Sequence, residues 1–270
     1  MPSQQKINSV FTCFYVLIVI LILSLSSRVY SNEKETTTLS NATQVTFKAS
    51  AEDEFLLSAD YYKGKQKSGG VIVLHDCKSD RSRYDFMANA FYLQGLHTLS
   101  VDLRGYGDSV SSAYSRDNIK QNTTDIVGYQ SEMALLTTFW SDDLVAAYHF
   151  LRSKVDSKQG IGIVTSGCSS AYSIALTENI LLNAMVMITP QMTYADKERY
   201  KNLIDTPNYF ITSSEHLDSY QTANELFSWN GSKKSKIQIF KGNRYDYHLI
   251  THEQGLIKDI VNWVDSTVSR

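Results

Sequence analysis

Residues 161–176 constrain the fold of this chain more than any other stretch. They begin with a β-branched run at 161–164, continue through small residues at 165–171 and end in an apolar helical pattern at 172–176. A run of this kind predicts a buried strand, and the apolar spacing after it predicts a helix that packs on the strand. The stretch therefore predicts a strand, a sharp turn and a helix, with only small side chains beside the turn.

Strand and helix patterns alternate through most of the remaining chain. Apolar or alternating runs predict strands at 45–50, 55–62, 71–74, 98–101, 184–188, 208–212 and 236–240. Apolar residues at helical spacing predict helices at 84–93, 141–152 and 256–264, the second of them capped by Ser141. The polar stretch 117–130 predicts a loop. This alternation predicts an α/β fold with a mostly parallel central sheet and helices on both faces.

Two further motifs identify the architecture more closely. His75 follows the strand at 71–74, and the block 102–109 reads DLRGYGDS after the next strand. Together with the turn at 165–171, their order over residues 45–268 resembles the α/β-hydrolase family, in the branch of serine esterases and dienelactone-hydrolase-like proteins. The resemblance implies an α/β-hydrolase fold in which His75 and Arg104 hold loops in place and take no part in the chemistry.

The family presents a nucleophilic serine at the sharp turn, within a G-x-S-x-G motif. If the strand is 161–164, the residue at the point of the turn is Gly167, which has no side chain that can attack a substrate. A second register would place Ser169 at the point, but it brings the bulky Tyr172 into the small-residue patch. We favour the first register, in which Ser169 is a packing residue.

The other two members of the family's catalytic triad are an acid and a histidine. The position of the acid is occupied by His216, with Glu215 and Asp218 nearby, and the position of the histidine is occupied by Tyr245. Three replacements, counting Gly167, predict a catalytically inactive pseudohydrolase with a binding or interaction role. Two alternatives stay open. One is an active serine esterase with a shifted triad of Ser169, Glu215 or Asp218, and His248; the other is a cysteine hydrolase that uses Cys168.

The resemblance also assigns a place to two cysteines. In the family, two backbone N–H groups form the oxyanion hole, and the matching positions are Cys77 and Cys168. Because both groups would point at one oxygen atom, the resemblance predicts that these cysteines lie close enough for a disulfide. The alternative is two buried thiols that point into different layers.

The N-terminal part of the chain differs from the rest. Lys6 precedes an apolar run at 10–25, which predicts a signal peptide or signal anchor over residues 1–31. Residues 32–44 are polar and rich in threonine and predict a flexible tether, followed by one hydrolase-like domain over 45–270. We therefore expect an exported protein, secreted or periplasmic, or one held at a membrane by this segment alone.

The charge and the motifs of the chain disfavour several classes of partner and cofactor. A formal net charge of -2 disfavours nucleic acid as a partner. The three cysteines lack metal-ligand spacing and no phosphate-binding loop motif occurs, so we expect neither a metal nor another cofactor. The expected partner is a small acyl or ester-like ligand, or another protein.

Overall fold

A sheet of eight strands organises the residues that the computed structural model describes, which are 41–50, 54–178 and 180–269. The strands are β1 (Ala42–Lys48), β2 (Leu56–Tyr62), β3 (Gly70–Leu74), β4 (His97–Val101), β5 (Ile161–Ser166), β6 (Ala184–Ile188), β7 (Asn208–Ser213) and β8 (Lys236–Phe240). Their order in the sheet is β1-β2-β4-β3-β5-β6-β7-β8. β2 pairs antiparallel with both β1 and β4, and all other neighbours are parallel. The mostly parallel sheet predicted from the sequence is confirmed.

Helices cover both faces of this sheet. They are α1 (Asp85–Gln94), α2 (Arg116–Asn122), α3 (Ile126–Thr137), α4 (Trp140–Arg152), α5 (Ser169–Thr177), α6 (Tyr194–Tyr200), α7 (Leu217–Trp229), α8 (Asp246–His252) and α9 (Leu256–Val268). Neighbouring residues of the central strands belong to two separate apolar layers: the layer of Ile72 includes residues of α4, α5 and α7, and the layer of Val71 includes residues of α1, α8 and α9. Burial on both faces explains why these strands are continuous apolar runs in the sequence.

Among the differences from the sequence prediction, three concern the tether, a loop and a helix cap. β1 begins at Ala42, so residues 42–44 of the predicted tether belong to the sheet. The predicted loop 117–130 is largely helical: Ser115 caps α2, and the Asp125 carboxylate accepts a hydrogen bond from the Gly128 N–H at the start of α3. Both helices bury few side chains, so the sequence lacks the apolar periodicity that marks a helix. Ser141 is not a cap, because α4 already begins at the buried Trp140.

The predicted leader at 1–31 lies outside the described residues. Within the described part of the chain, no helix is both long and apolar enough to cross a bilayer.

The DLRGYGDS block forms a fixed loop after β4. The Leu103 N–H donates to Nε2 of His75 at 3.0 Å, so the proton of this buried imidazole lies on Nδ1 and is donated to the Asp76 carbonyl. Arg104 forms a buried ion pair with Asp143 of α4, at 2.7 Å from Nη2 to Oδ1, and both side chains are 1% exposed. The loop therefore joins β4 to the helix that precedes the sharp turn.

Candidate functional site

Gly167 occupies the point of the turn between β5 and α5. Its φ is +55°, in the left-handed region, and its N–H donates to the Ile188 carbonyl at 2.9 Å. A side chain is disfavoured in this conformation, whereas glycine adopts it without strain. The structure thus follows the register in which the turn presents no side chain.

The space that a nucleophile would need at this turn is filled by Asp246. A Cβ atom placed on Gly167 would lie 2.9 Å from Oδ1 of Asp246, a distance shorter than carbon and oxygen atoms normally approach. Asp246 is the first residue of α8 and is 3% exposed. This carboxylate occupies the place that a catalytic serine would take.

Hydroxyl groups hold the Asp246 side chain in this position. Oδ1 accepts hydrogen bonds from Thr189 Oγ1 at 2.7 Å and from Ser166 Oγ at 3.1 Å, and Thr189 Oγ1 accepts one from the Asp246 N–H at 3.0 Å. Asp246 and Thr189 both have positive φ, +52° and +44°. Such a value is unusual for aspartate and a clear outlier for β-branched threonine. Three left-handed residues, with Gly167, therefore meet at one point.

A second buried carboxylate lies near Asp246. Asp76, which follows His75, accepts hydrogen bonds from the Lys78 N–H, Ser79 Oγ and Tyr84 Oη. Burial, followed by the negative charge of Asp76, raises the pKa of Asp246 to about 6, and the hydroxyl hydrogen bonds and Lys78 oppose this rise. Burial also raises the pKa of Tyr84 well above its usual value. The Asp246 carboxylate is bonded to the hydroxyl groups of Ser166 and Thr189, and none of the hydrogen bonds described for this carboxylate comes from a histidine.

His216 and Tyr245 lie together, as residues at the acid and histidine positions should. Their ring centroids are 5.1 Å apart, and His216 Nδ1 bonds to Ser219 Oγ at 2.7 Å. The Lys78 ammonium lies 4.5 Å from the centroid of the Tyr245 ring. The pair forms an aromatic and cationic contact in place of a base and its orienting acid.

The shifted triad is not assembled in the structure. Ser169 is fully buried, and its hydroxyl accepts from the Ser166 N–H and donates to the Ser166 carbonyl, both at 3.0 Å. His248 is exposed and stacks near Tyr245 and Tyr247. Glu215 and Asp218 are exposed, and the ring contacts described for His248 are with the two tyrosines. Ser169 therefore has the packing role that the first register predicted.

A disulfide joins Cys77 and Cys168, with their Cα atoms 5.9 Å apart. It connects the loop after β3 to the start of α5, beside Gly167. The Tyr106 hydroxyl donates to the Cys77 carbonyl at 3.0 Å. Because Cys168 is oxidised in this bond, it has no free thiol, and the cysteine-hydrolase alternative loses its nucleophile.

Two small cavities lie beside the turn. One, of about 240 Å³, is lined by Asp76, Lys78, Ser79, Asp80, Arg83, Tyr245, Asp246, Tyr247 and His248. The other, of about 430 Å³, shares Tyr245 and His248 with the first and is otherwise lined by Asn243, Arg244, Thr251 and His252. In the described part of the chain, no group of three histidine, cysteine, aspartate or glutamate side chains could hold a metal ion.

We expect Asp246→Asn to change how stability depends on pH. The folded-state pKa of Asp246, about 6, exceeds its ordinary value of 3.8, so protonation favours the folded protein. Stability from this group is present below pH 3.8 and is lost as pH rises through 6. A shift of two units corresponds to at most about 3 kcal/mol. Urea unfolding should show Asp246→Asn more stable than wild type at pH 8, with a difference that shrinks toward pH 4.

Asp218→Asn in α7 is the matched control, because Asp218 is an exposed carboxylate. The free energy of unfolding of Asp218→Asn should differ little from that of wild type at every pH. Asp85, whose pKa burial raises to about 6, is more exposed and adds its own pH dependence to all three proteins. An Asp246→Asn protein with the same pH profile as wild type would contradict the prediction.

Sequence reasoning missed the residues that fill the turn. The histidine position aligns with residue 245, so its neighbour Asp246 and Thr189 after β6 had no predicted role. The available signal was an aspartate directly beside the histidine position in the loop after β8. That signal is weak because aspartate is common in loops.

No protein-family model and no curated protein sequence matches this chain. Solved structures do resemble it. Dienelactone hydrolase from Anabaena variabilis is 13% identical with a TM-score of 0.63, over 85% of this chain and 100% of that one. A predicted CIB-like hydrolase from Thermoplasma acidophilum is 13% identical with a TM-score of 0.58, over 83% and 98%. An esterase from Pyrococcus furiosus is 16% identical with a TM-score of 0.58, over 84% and 93%. With the strand order and the sharp turn after β5, these similarities show that this chain has the α/β-hydrolase fold.

Proposed function

We propose that this protein is a catalytically inactive member of the α/β-hydrolase fold that binds a ligand or a protein partner. The observation that carries the proposal is the pairing of Gly167 with the Asp246 carboxylate, 2.9 Å from where a Cβ atom would lie. An acyl-transfer enzyme needs a nucleophile, a base within hydrogen-bond reach and an oxyanion hole. At this turn the nucleophile is missing and its space is filled.

The remaining parts of the site support the same proposal. His216 and Tyr245 stand where the acid and the histidine would be needed, and Tyr245 cannot accept a proton from a serine as imidazole does. The disulfide between Cys77 and Cys168 fixes the two loops that would supply the oxyanion hole.

We further propose that the chain is exported or anchored at a membrane by its N-terminal segment. The apolar run at 10–25 after Lys6 supports this location. A disulfide persists in oxidising compartments and is rare in the cytosol, which favours the same location.

Activity-based labelling tests the inactivity. A fluorophosphonate probe should leave the wild-type protein unlabelled, and p-nitrophenyl acetate should be hydrolysed no faster than in a Ser169→Ala sample. An active esterase treated in parallel checks the probe. Labelling that disappears in Ser169→Ala would overturn the proposal, because it would show a working nucleophile at that position.

Gly167→Ser alone should also remain inactive. The new side chain meets Asp246 and forces a left-handed serine, so we expect a loss of about 1 to 3 kcal/mol in stability and no gain in esterase rate. The loss should be smaller when Asp246→Ala is present in the same chain, because the contact is then removed. Equal losses in both backgrounds, or turnover above the wild-type background, would contradict this explanation.

A further inference from the structure

The cavity of about 430 Å³ at α8 is lined by hydrogen-bond donors of positive or neutral charge. Arg244 precedes α8, and His248 and His252 lie four residues apart, so that they share one side of the helix. Asn243 and the ring of Tyr245 complete its polar wall. No carboxylate of the described residues lines this cavity. One lining residue has a carboxylate beside it: Oε1 of Glu253 is 3.5 Å from Nδ1 of His252.

Arg244 is available to a ligand. Its backbone carbonyl accepts a hydrogen bond from the hydroxyl of Ser213, the last residue of β7. This bond fixes the backbone of Arg244 beside the end of that strand. Its side chain is exposed, and no carboxylate of the described residues lies within ion-pair distance of it. The three carboxylates of the adjoining smaller cavity accept hydrogen bonds from their own neighbours: Asp76 from Lys78 and Tyr84, Asp80 from Ser82, and Asp246 from Ser166 and Thr189. An unpaired guanidinium in a cavity favours an anionic ligand.

We propose, building on the binding role proposed above, that this cavity binds the phosphoryl group of a small phosphate monoester. A phosphate monoester carries between one and two negative charges and three terminal oxygens. These oxygens can accept hydrogen bonds from one guanidinium and two imidazoles, which Arg244, His248 and His252 provide. A carboxylate offers one charge and two oxygens, and Arg244 alone would satisfy it. Lys78, in contact with Tyr245, adds a positive charge at the boundary with the smaller cavity.

Titration calorimetry of the full chain with phenyl phosphate, inorganic phosphate and benzoate at constant ionic strength tests the inference. Phenyl phosphate should bind more tightly than benzoate. Arg244→Gln should raise its Kd by roughly tenfold or more, as expected for the loss of a charged hydrogen bond. His248→Gln should raise it less. The matched control is Arg199→Gln, which removes an exposed arginine paired with Glu178 elsewhere on the surface and should leave the Kd unchanged.

Three outcomes would overturn the inference: no saturable binding of either phosphate probe at millimolar concentration, tighter binding of benzoate, or the same Kd in Arg244→Gln and wild type. Circular dichroism of each variant confirms folding. The result is separable from the proposed inactivity. A protein that the fluorophosphonate probe labels, yet that binds phenyl phosphate through Arg244, would overturn only the inactivity. An unlabelled protein that binds no phosphate would overturn only this inference.

Discussion

Asp143→Ala is expected to destabilise the folded protein by about 3 to 5 kcal/mol, because it removes one partner of a buried ion pair. Arg104 donates to both carboxylate oxygens of Asp143, at 3.2 Å from Nε to Oδ2 and 2.7 Å from Nη2 to Oδ1. The guanidinium also lies against three aromatic rings, those of Phe55, Tyr114 and Phe139. These rings keep the guanidinium from turning toward water. Urea unfolding at neutral pH measures the loss.

The preceding residue provides the control. Asp142 lies in the same first turn of α4 but is exposed, so Asp142→Ala should change stability by no more than about 0.5 kcal/mol. If Asp143→Ala is as stable as Asp142→Ala, the ion pair does not support the loop after β4 as described. If Asp143→Ala fails to fold, Asp143→Asn, which keeps one acceptor oxygen, provides a measurable intermediate value.

Loss of the disulfide is expected to cost a similar amount. Cys77 and Cys168 are 91 residues apart, and closing a loop of that length stabilises the fold by about 4 to 5 kcal/mol in the chain-entropy model. Cys77→Ser and Cys168→Ser should each lower the free energy of unfolding by nearly this whole amount. The double variant should lower it no more than either single variant. Wild type in a reducing agent should unfold at the same urea concentration as the double variant.

Such non-additivity is specific to a covalent link. Two independent buried thiols would give additive losses, and a reducing agent would leave wild type unchanged. Mass spectrometry of non-reduced peptides provides a direct check. Alkylatable thiols at both positions, in protein taken from an oxidising compartment, would show that the bond is absent.

The framework of the fold could be read from the sequence where burial controls the pattern. β6 has the predicted bounds, and β3, β4, β5 and β7 differ by one residue or two, because strands covered on both faces are continuous apolar runs. The edge strand β8 also has its predicted bounds, although its side chains are at most partly buried. The helices α2 and α3 could not be read in this way. α3 exposes Ile126, Val127 and Leu135, so its apolar residues do not mark a buried face.

The candidate site likewise has some features that the sequence predicts and others that it does not. Two features could be predicted by aligning the chain with the order of motifs in the α/β-hydrolase family. These are the absence of a side chain at Gly167 and the closeness of His216 to Tyr245. The placement of Asp246 depends on a left-handed backbone and on a hydroxyl 57 residues away, at Thr189. Neither a backbone angle nor a contact of that range leaves a pattern in the neighbouring sequence.

The contact between Gly167 and Asp246 also fixes the order in which substitutions could restore a serine to this turn. A serine introduced first must enter space held by a carboxylate that Ser166 and Thr189 bind, so this first step lowers stability without any gain in rate. Replacing Asp246 first removes the obstruction and a buried charge together, so this step is tolerated. A series of single substitutions that begins at residue 167 therefore starts with a loss of stability, whereas a series that begins at residue 246 does not. A change that places a serine at this turn would therefore start in the loop after β8 and not at residue 167 itself.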